Sequence, residues 1–258
     1  MGYADEIGAD IARAAVLLRE ARYAIALTGA GSSTPSGIPD FRSPGSGLWE
    51  DVDPMEVASI HTFRQHPEAF YDWMRPLVTT LLAAQPNPAH LALAELEEGG
   101  WLEAVITQNI DDLHQRAGSR EVLELHGHLR EATCIRCYQV LPTGELLDDF
   151  LASGKVPRCP ACGGVMKPNV VLFGEQLPVV AVNAAMAHVR QADLMLIAGS
   201  SLEVVPASWL PLRVHERGGR LIVVNLTPTY VDDVAEVVIH ADLAQVLPHI
   251  AQACVRGE

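Results

Sequence analysis

Apolar positions recur every three to four residues over 5–21, and this spacing predicts an amphipathic helix at the start of the chain. A continuous apolar run, Tyr23 to Thr28, follows and predicts a buried strand. Later apolar runs predict strands at 104–107, 122–125, 194–198, 221–225 and 237–240, and helical spacing predicts helices at 89–98, 179–191, 206–217 and 242–254. Short apolar strands that alternate with helices indicate a parallel α/β sheet with both faces covered.

Three intervals depart from this alternation. Residues 32–54 contain four prolines and several glycines, which predict a mobile loop rather than a long helix. Residues 55–84 have the pattern of a mostly helical segment. Residues 131–168 are polar and hold four of the five cysteines, so we interpret this interval as an insertion into the α/β domain.

Charge and composition narrow the range of partners. The chain has 258 residues and a formal net charge of -14, and such an acidic surface repels phosphate backbones, so we expect no direct nucleic-acid binding. The same charge favours basic, lysine-rich peptides. No segment approaches the ~18 apolar residues that a membrane span requires. The acidic start of the chain does not fit a signal peptide, so we expect a cytoplasmic protein without a membrane partner.

A glycine-rich turn follows the first predicted strand. Gly29-Ala30-Gly31 lets a backbone approach a pyrophosphate closely, although a plain tight turn has the same pattern. Thr34 stands where the common dinucleotide fingerprint has its third glycine. Further along the loop, Asp40-Phe41-Arg42 combines a carboxylate, a ring and a guanidinium. These groups suit a carboxamide, a reactive carbon and a phosphate, respectively, or a solvated ion pair in a turn.

Polar residues also follow other predicted strands, where open α/β sheets bind their ligands. Thr107 to Asp111 suits a ribose with several hydroxyls or the N-terminal cap of a helix. His126 follows 122–125 and is either a general base or a structural histidine. Gly199 to Pro206 suits a phosphate or a ribose, and Lys167 to Glu175 has an extended stretch that suits a peptide strand. An ordinary turn or strand edge is the alternative for both segments.

The cysteines form two Cys-x-x-Cys pairs separated by 21 residues. Four thiolates at this spacing predict one structural zinc ion, and disulfides or redox pairs are the alternatives. The predicted ligands are Cys134, Cys137, Cys159 and Cys162. No histidine or carboxylate joins the set, so no open catalytic position is implied. Cys254 remains outside it as a plain thiol.

In this order, the motifs resemble those of the sirtuin family of NAD-dependent protein deacylases. The motifs that carry the resemblance are 29–42, 107–111, 124–127, the two cysteine pairs, 170–175 and 199–206, with Asn225 and 242–243 beyond them. Ser32 departs from the family, which usually has a bulkier apolar residue there.

The resemblance implies an α/β fold: a Rossmann-like parallel sheet with an inserted small domain of zinc ribbon and helical module. The implied segments are 1–42, 86–130 and 169–258 for the Rossmann-like domain, 43–85 for the loop and helical module, and 131–168 for the ribbon. The implied activity is protein lysine deacylation, most simply deacetylation, which consumes NAD and releases nicotinamide and an acyl-ADP-ribose ester. The alternatives are an ADP-ribosyltransferase, an NAD glycohydrolase and a non-catalytic NAD or zinc-ribbon interaction module.

The resemblance also implies residue roles. His126 is the expected general base. The expected NAD contacts are Gly29, Ala30, Gly31, Ser33, Gly199, Ser200 and Ser201 at the phosphates, Asn225, Leu226 and Leu243 at the adenosine, Asp40, Asn109, Ile110 and Asp111 at the nicotinamide, Gln108 at its ribose, and Phe41 and Arg42 in the loop. The expected contacts with the acyl-lysine peptide are Val171, Phe173, Gly174, Glu175 and Val204, with Tyr71 near the acyl group.

The helix near Phe70 bears on acyl preference. Sirtuins that prefer acidic acyl groups have a Tyr-x-x-Arg pair there, in which the two side chains hold the acyl carboxylate. In this chain Met74 stands three residues after Tyr71, and Arg75 comes one residue later, about 100° further round a helix. We therefore expect a preference for acetyl or other uncharged acyl groups.

Overall fold

The computed structural model describes residues 3–40, 47 and 52–257, so Phe41 and Arg42 lie outside the described residues. The strands within these ranges are β1 (Ala24–Thr28), β2 (Ala104–Thr107), β3 (Val122–Glu124), β4 (Gly127–Cys134), β5 (Val140–Pro142), β6 (Met166–Val170), β7 (Leu194–Ala198), β8 (Arg220–Val224) and β9 (Val237–Ile239). The α-helices are α1 (Tyr3–Glu20), α2 (Pro54–Val57), α3 (Ile60–Gln65), α4 (Pro67–Ala83), α5 (Pro88–Glu98), α6 (Leu113–Ala117), α7 (Gly144–Ser153), α8 (Val179–Gln191), α9 (Leu210–His215) and α10 (Leu243–Arg256).

A parallel six-stranded sheet forms the centre of the larger lobe. Its strand order is β3-β2-β1-β7-β8-β9, so the chain progresses in one direction from β1 and in the other from β7. This order is that of the Rossmann fold, and the reversal between β1 and β7 opens a crevice at the carboxyl ends of these strands. Thr28, Thr107 and Ala198 are aligned in register there, so the loops that follow them meet at one edge.

Every residue of β1 and β7 is buried because helices cover both faces of the sheet. Ala24 and Ala26 of β1 face a core formed with α1, α5 and α10. Ile25 and Leu27 face the opposite core, formed with α8 and α9. This two-sided burial explains why the strands are continuous apolar runs rather than alternating ones.

The smaller lobe combines a three-stranded antiparallel sheet, ordered β5-β4-β6, with α2, α3, α4 and α7. Phe63 and Phe70 from the helical module pack edge to face at 5.2 Å between ring centroids. The same core includes Phe150 of α7 and Val170 of β6. The helical module and the cysteine-containing insertion therefore share one hydrophobic core.

The two lobes are joined where β4 begins, immediately after His126. Gly127 has a φ of +75°, and a Cβ on it would lie 1.9 Å from the carbonyl oxygen of Asn169. Only glycine fits this left-handed conformation against a backbone atom. The segment after His126 therefore lies directly against β6 where the chain enters the smaller lobe.

The fold class expected from the sequence is confirmed, including the parallel sheet and the cysteine-containing insertion. The predicted strands of the large sheet agree with the observed ones to within one residue at each end. Three elements differ in detail: 206–217 is a short 3-10 turn followed by α9, 55–84 is divided into α2, α3 and α4, and the insertion contains the helix α7, which the sequence pattern did not reveal. None of the helices in the described ranges has the length and apolarity to cross a membrane.

Candidate active site

Two glycine-containing loops touch at the crevice between β1 and β7. The Gly31 amide donates to the Gly199 carbonyl at 2.9 Å, and a Cβ on Gly31 would lie 2.9 Å from the Cα of Gly199. Gly199 itself has a φ of +63°, and a Cβ there would lie 2.4 Å from the Ser32 nitrogen. Side chains are excluded at both glycines, so backbone groups line this part of the crevice, as in a pyrophosphate site.

A polar cluster lies beside these loops. The Ser33 hydroxyl donates to Asp111 Oδ2 at 2.6 Å, and the other oxygen of Asp111 accepts from the amide of Leu113, the first residue of α6, at 3.0 Å. Asn109 Nδ2 donates to the Gly29 carbonyl at 3.1 Å and meets the hydroxyls of Ser32 and Ser33 at 3.0 Å each. Burial raises the pKa of the Asp111 carboxyl, although its two hydrogen bonds oppose this shift.

Two buried histidines lie behind this cluster. The rings of His90 and His114 are 4.8 Å apart, and His90 Nε2 is 3.5 Å from the Ser33 hydroxyl. The backbone amide of Asn87 donates to His90 Nδ1. His114 Nε2 lies 2.9 Å from the Thr28 hydroxyl. Burial lowers the pKa of His90 to about 4 and that of His114 to about 3. Both rings are therefore neutral at physiological pH and add no positive charge beside Ser33.

His126 is held in a defined tautomer. Its Nδ1 lies 3.0 Å from the Gln108 carbonyl oxygen, which only accepts hydrogen bonds, so the neutral ring carries its proton on Nδ1. The lone pair is then on Nε2. Burial lowers the pKa of His126, against the opposing effect of the bond to Gln108, so the neutral form predominates at pH 7. The Gln108 side chain donates to the Ser200 hydroxyl at 2.9 Å and so connects this histidine to the loop after β7.

The segment that follows β6 lies beside His126. The Val171 amide donates to the His126 carbonyl at 2.8 Å. Phe173 pairs with the start of α3, because its carbonyl accepts from the Ile60 amide at 3.0 Å. Glu175 forms an ion pair with Lys167 at 2.9 Å and accepts from the Leu172 amide at 2.9 Å. Both lobes therefore fix the backbone of this segment, while Phe173 remains 40% exposed.

The remaining predicted site residues, which are NAD contacts and the peptide contacts Val204 and Gly174, occupy several positions. Asn225 is buried at the end of β8 and its Nδ2 donates to the Thr227 carbonyl at 2.7 Å, whereas Leu226 is 65% exposed. Leu243 begins α10 and lies against Gly199. Ala30, Asp40, Ile110 and Val204 are half-buried, while Ser201 and Gly174 are exposed.

Tyr71 and Arg75 both have partners inside the smaller lobe. The Tyr71 side chain is buried, and its hydroxyl donates to the Met166 carbonyl at 2.6 Å. The Arg75 guanidinium lies 5.2 Å from the ring centroid of Phe150 and donates to the Phe150 carbonyl at 3.3 Å. Neither polar group points towards the other in a carboxylate clamp.

The four cysteines of the insertion form one compact cluster. Their sulfur atoms all lie within 4.8 Å of one another, with Cys134 to Cys162 at 3.5 Å and Cys137 to Cys159 at 3.7 Å. Tetrahedral zinc–thiolate bonds of about 2.3 Å place sulfur atoms about 3.8 Å apart. Disulfides would require about 2.0 Å. The cluster therefore fits a structural zinc ion with four thiolate ligands.

Comparison with known proteins identifies the family. The profile described as Sir2 family matches residues 29–206, which is more than half of the chain. The chain belongs to the Sir2 family. It is similar to the protein of Caldivirga maquilingensis named NAD-dependent protein deacetylase, with 50% identity over 235 residues that cover 91% of this chain and 90% of that protein.

Solved Sir2 enzymes have the same fold. One, determined in work on the mechanism and regulation of these enzymes, has a TM-score of 0.91 and 44% identity, and the match covers 97% of this chain and 99% of that one. A second, solved with a p53 peptide and NAD+, has a TM-score of 0.84 and 44% identity, with 92% and 95% covered. The expected Rossmann-like fold with a cysteine-containing insertion is therefore confirmed at high coverage.

Two polar residues beside the polar cluster of Ser33, Asn109 and Asp111 were not predicted from the sequence as part of the site. His90 lies on the apolar face of α5, where a histidine is indistinguishable in pattern from a core residue. Asn87 caps the same helix and also donates to the Ser32 carbonyl at 2.8 Å. The sequence Pro86-Asn87-Pro88 indicates the start of a helix, but nothing in it indicates the contact with Ser32.

The cysteine cluster generates a metal prediction. One zinc ion per chain is expected by elemental analysis, and Cys159→Ser is expected to lose most of it and to lower the thermal stability of the smaller lobe, because metal binding and folding of such a ribbon are coupled. Cys254→Ser is the matched control, because Cys254 is buried outside the cluster and its variant should keep the zinc. Full activity and stability of protein that contains no zinc would contradict the assignment.

Proposed function

We propose that the chain is an NAD-dependent protein lysine deacylase that removes acetyl or other uncharged acyl groups from peptide lysines. The observation that carries this proposal is the state of His126. A neutral histidine with a free Nε2 lone pair stands at the sheet edge that also presents the glycine crevice, and its backbone is bonded to the extended segment at Val171. The deacetylase name of the Caldivirga relative and the NAD+ and peptide in the related Sir2 complex support it.

NAD fits the described residues as the co-substrate. Backbone groups around Gly31 and Gly199 would hold the phosphates, and the Ser200 hydroxyl would donate to them. Ser33 would donate to a phosphate only after its hydrogen leaves Asp111. Asn225 and Leu243 would hold the adenosine, and Asn109 with Asp111 would bind the nicotinamide carboxamide. When bound, NAD would supply the bond between its ribose and nicotinamide. Cleavage of that bond would release nicotinamide and allow the ribose carbon to bond to the acyl oxygen.

His126 would act as the general base on a ribose hydroxyl. A general base requires a lone pair within hydrogen-bond reach and a pKa near or below the working pH. The Nδ1 bond to Gln108 reserves Nε2 for this purpose, and burial keeps the ring neutral. Because the Gln108 side chain also bonds Ser200, this residue would link the base to the phosphate-binding loop.

The acyl-lysine peptide would lie as an added strand beside the segment Val171 to Glu175. Added strands are held by main-chain hydrogen bonds, with side chains giving specificity. The amides of Val171, Leu172 and Phe173 are already bonded within the protein, so the remaining main-chain groups of the segment would receive the peptide. Val171 and Val204 would flank the acyl-lysine stem, and the exposed Phe173 would contact a neighbouring residue. The net charge of -14 favours basic peptides around the modified lysine.

One assay with an acetyl-lysine peptide and NAD tests the proposal. The expected result is loss of the acetyl mass from the peptide with release of nicotinamide. In His126→Ala, deacylation should fall by about 10²–10⁴-fold, while nicotinamide exchange suffers less, because the base acts after nicotinamide leaves. His128→Ala, two residues further along the same segment, is the control and should retain activity. Near-normal deacylation by His126→Ala would remove this residue from the mechanism, and addition of ADP-ribose to the peptide would indicate a transferase.

The lowered pKa of His126 predicts the pH dependence of kcat/KM. The ordinary value for histidine is 6.5, and burial stabilises the neutral base against protonation, so the base should persist below that pH. Activity should be constant from pH 8 to about 7, and its acid limb should have a midpoint below 6.5. Thermal unfolding measured over the same range separates titration from denaturation. An acid limb centred above pH 7 would contradict this description of the site.

The hydrogen bonds of the buried Tyr71 and the half-buried Arg75 predict the acyl preference. To bind an acyl carboxylate, both side chains would have to leave their partners, Met166 and Phe150. We therefore expect kcat/KM for acetyl-lysine to exceed that for succinyl-lysine on the same peptide by at least tenfold, or about 1.4 kcal/mol. Tyr71→Phe removes only the hydroxyl and should leave this ratio unchanged. A tenfold preference for succinyl-lysine would show that the clamp forms.

A further inference from the structure

Ser32 is fully buried in the loop that follows β1. A buried hydroxyl is costly unless it is hydrogen-bonded. The Ser32 hydroxyl both donates and accepts a hydrogen bond, because Oγ lies 2.8 Å from the Gly29 carbonyl and 3.0 Å from Asn109 Nδ2. Ser32 therefore connects the glycine loop to a residue of the polar cluster.

The direction of these bonds follows from the chemistry of the partners. The Gly29 carbonyl only accepts, so Ser32 donates its single hydroxyl hydrogen to it. The lone pair of Ser32 then accepts from Asn109. Ser33 likewise uses its hydrogen on Asp111 and can only accept from Asn109.

The side-chain nitrogen of Asn109 is therefore surrounded by three acceptors: the Gly29 carbonyl and the hydroxyls of Ser32 and Ser33. An amide nitrogen has two hydrogens, so a rotation that exchanged Nδ2 and Oδ1 would bring an acceptor against three acceptors. The carboxamide is therefore held with Nδ2 towards the loop and Oδ1 on its opposite side.

We propose that Ser32 is a positioning residue for nicotinamide: it fixes the carboxamide of Asn109 so that Oδ1 is available to accept a hydrogen bond from the nicotinamide amide. This inference rests on the proposed function, because it requires Asn109 to contact nicotinamide. An apolar side chain at position 32 would leave Asn109 with two acceptors instead of three. The hydroxyl thus makes the nicotinamide subsite of this chain more rigid before any ligand binds.

The test measures nicotinamide binding by calorimetry to protein saturated with ADP-ribose, so that no turnover is needed. The net free energy of one hydrogen bond corresponds to about a two- to tenfold change in an equilibrium constant. Ser32→Ala removes the bonds to both Gly29 and Asn109, and only the bond to Asn109 bears on nicotinamide. Ser32→Ala should raise the Kd of nicotinamide by this factor and leave the Kd of ADP-ribose unchanged, because ADP-ribose lacks the nicotinamide group. Thr34→Val is the matched control, since the Thr34 hydroxyl also donates to a loop carbonyl, that of Gly31, but does not contact Asn109.

A double-mutant cycle distinguishes positioning from a general effect on the loop. In an Asn109→Ala background, Ser32→Ala should no longer change the Kd of nicotinamide, because the group that it orients is absent. An equal loss in both backgrounds, an unchanged Kd in the single variant, or a parallel loss of ADP-ribose affinity would overturn the inference. Failure of the proposed function would be seen separately, as absence of peptide deacylation by the unmodified protein.

Discussion

The close approach of two backbones at the reversal of strand order is the constraint on which the site depends. The loops after β1 and β7 touch through Gly31 and Gly199, where any side chain would collide with a main-chain atom. This contact exists because β1 and β7 are paired in parallel register to their last residues, Thr28 and Ala198. The sheet therefore delivers the glycines, the serines that follow them and the polar residues after β2 to one crevice.

A second consequence of this geometry is that the polar cluster beside the crevice is largely removed from water. Asp111 and Ser33 are buried, and the neutral His90 and His114 lie behind them. In such surroundings hydrogen bonds are strong and an unpaired polar group is costly, so the groups orient one another before any ligand binds. The Ser32 hydroxyl lies within this network, which is why it is expected to influence the neighbouring amide of Asn109.

Features that are encoded by neighbouring residues were predictable from the sequence, whereas contacts between distant segments were not. The apolar runs of the large sheet and the two cysteine pairs were sufficient for the fold class and the metal cluster, because each is encoded by short-range spacing. The contacts of Asn87, His90 and Ser32 were not predictable, because each joins segments that are distant in the chain. The pattern also did not reveal α7, whose helical spacing lies in a polar, cysteine-containing interval.

The connection between the metal cluster and the histidine follows from a single strand. β4 extends from Gly127, next to His126, to Cys134, one of the four clustered cysteines, and it pairs with β6 at both ends, with a register shift between them. β6 in turn leads into Val171, whose amide bonds the His126 carbonyl. The strand thus joins a histidine that needs a fixed orientation to a cluster whose folding requires a metal. A structural zinc ion that takes no part in the chemistry would therefore still influence it, because the two strands beside the cysteine cluster adjoin His126 and the segment proposed to bind the peptide.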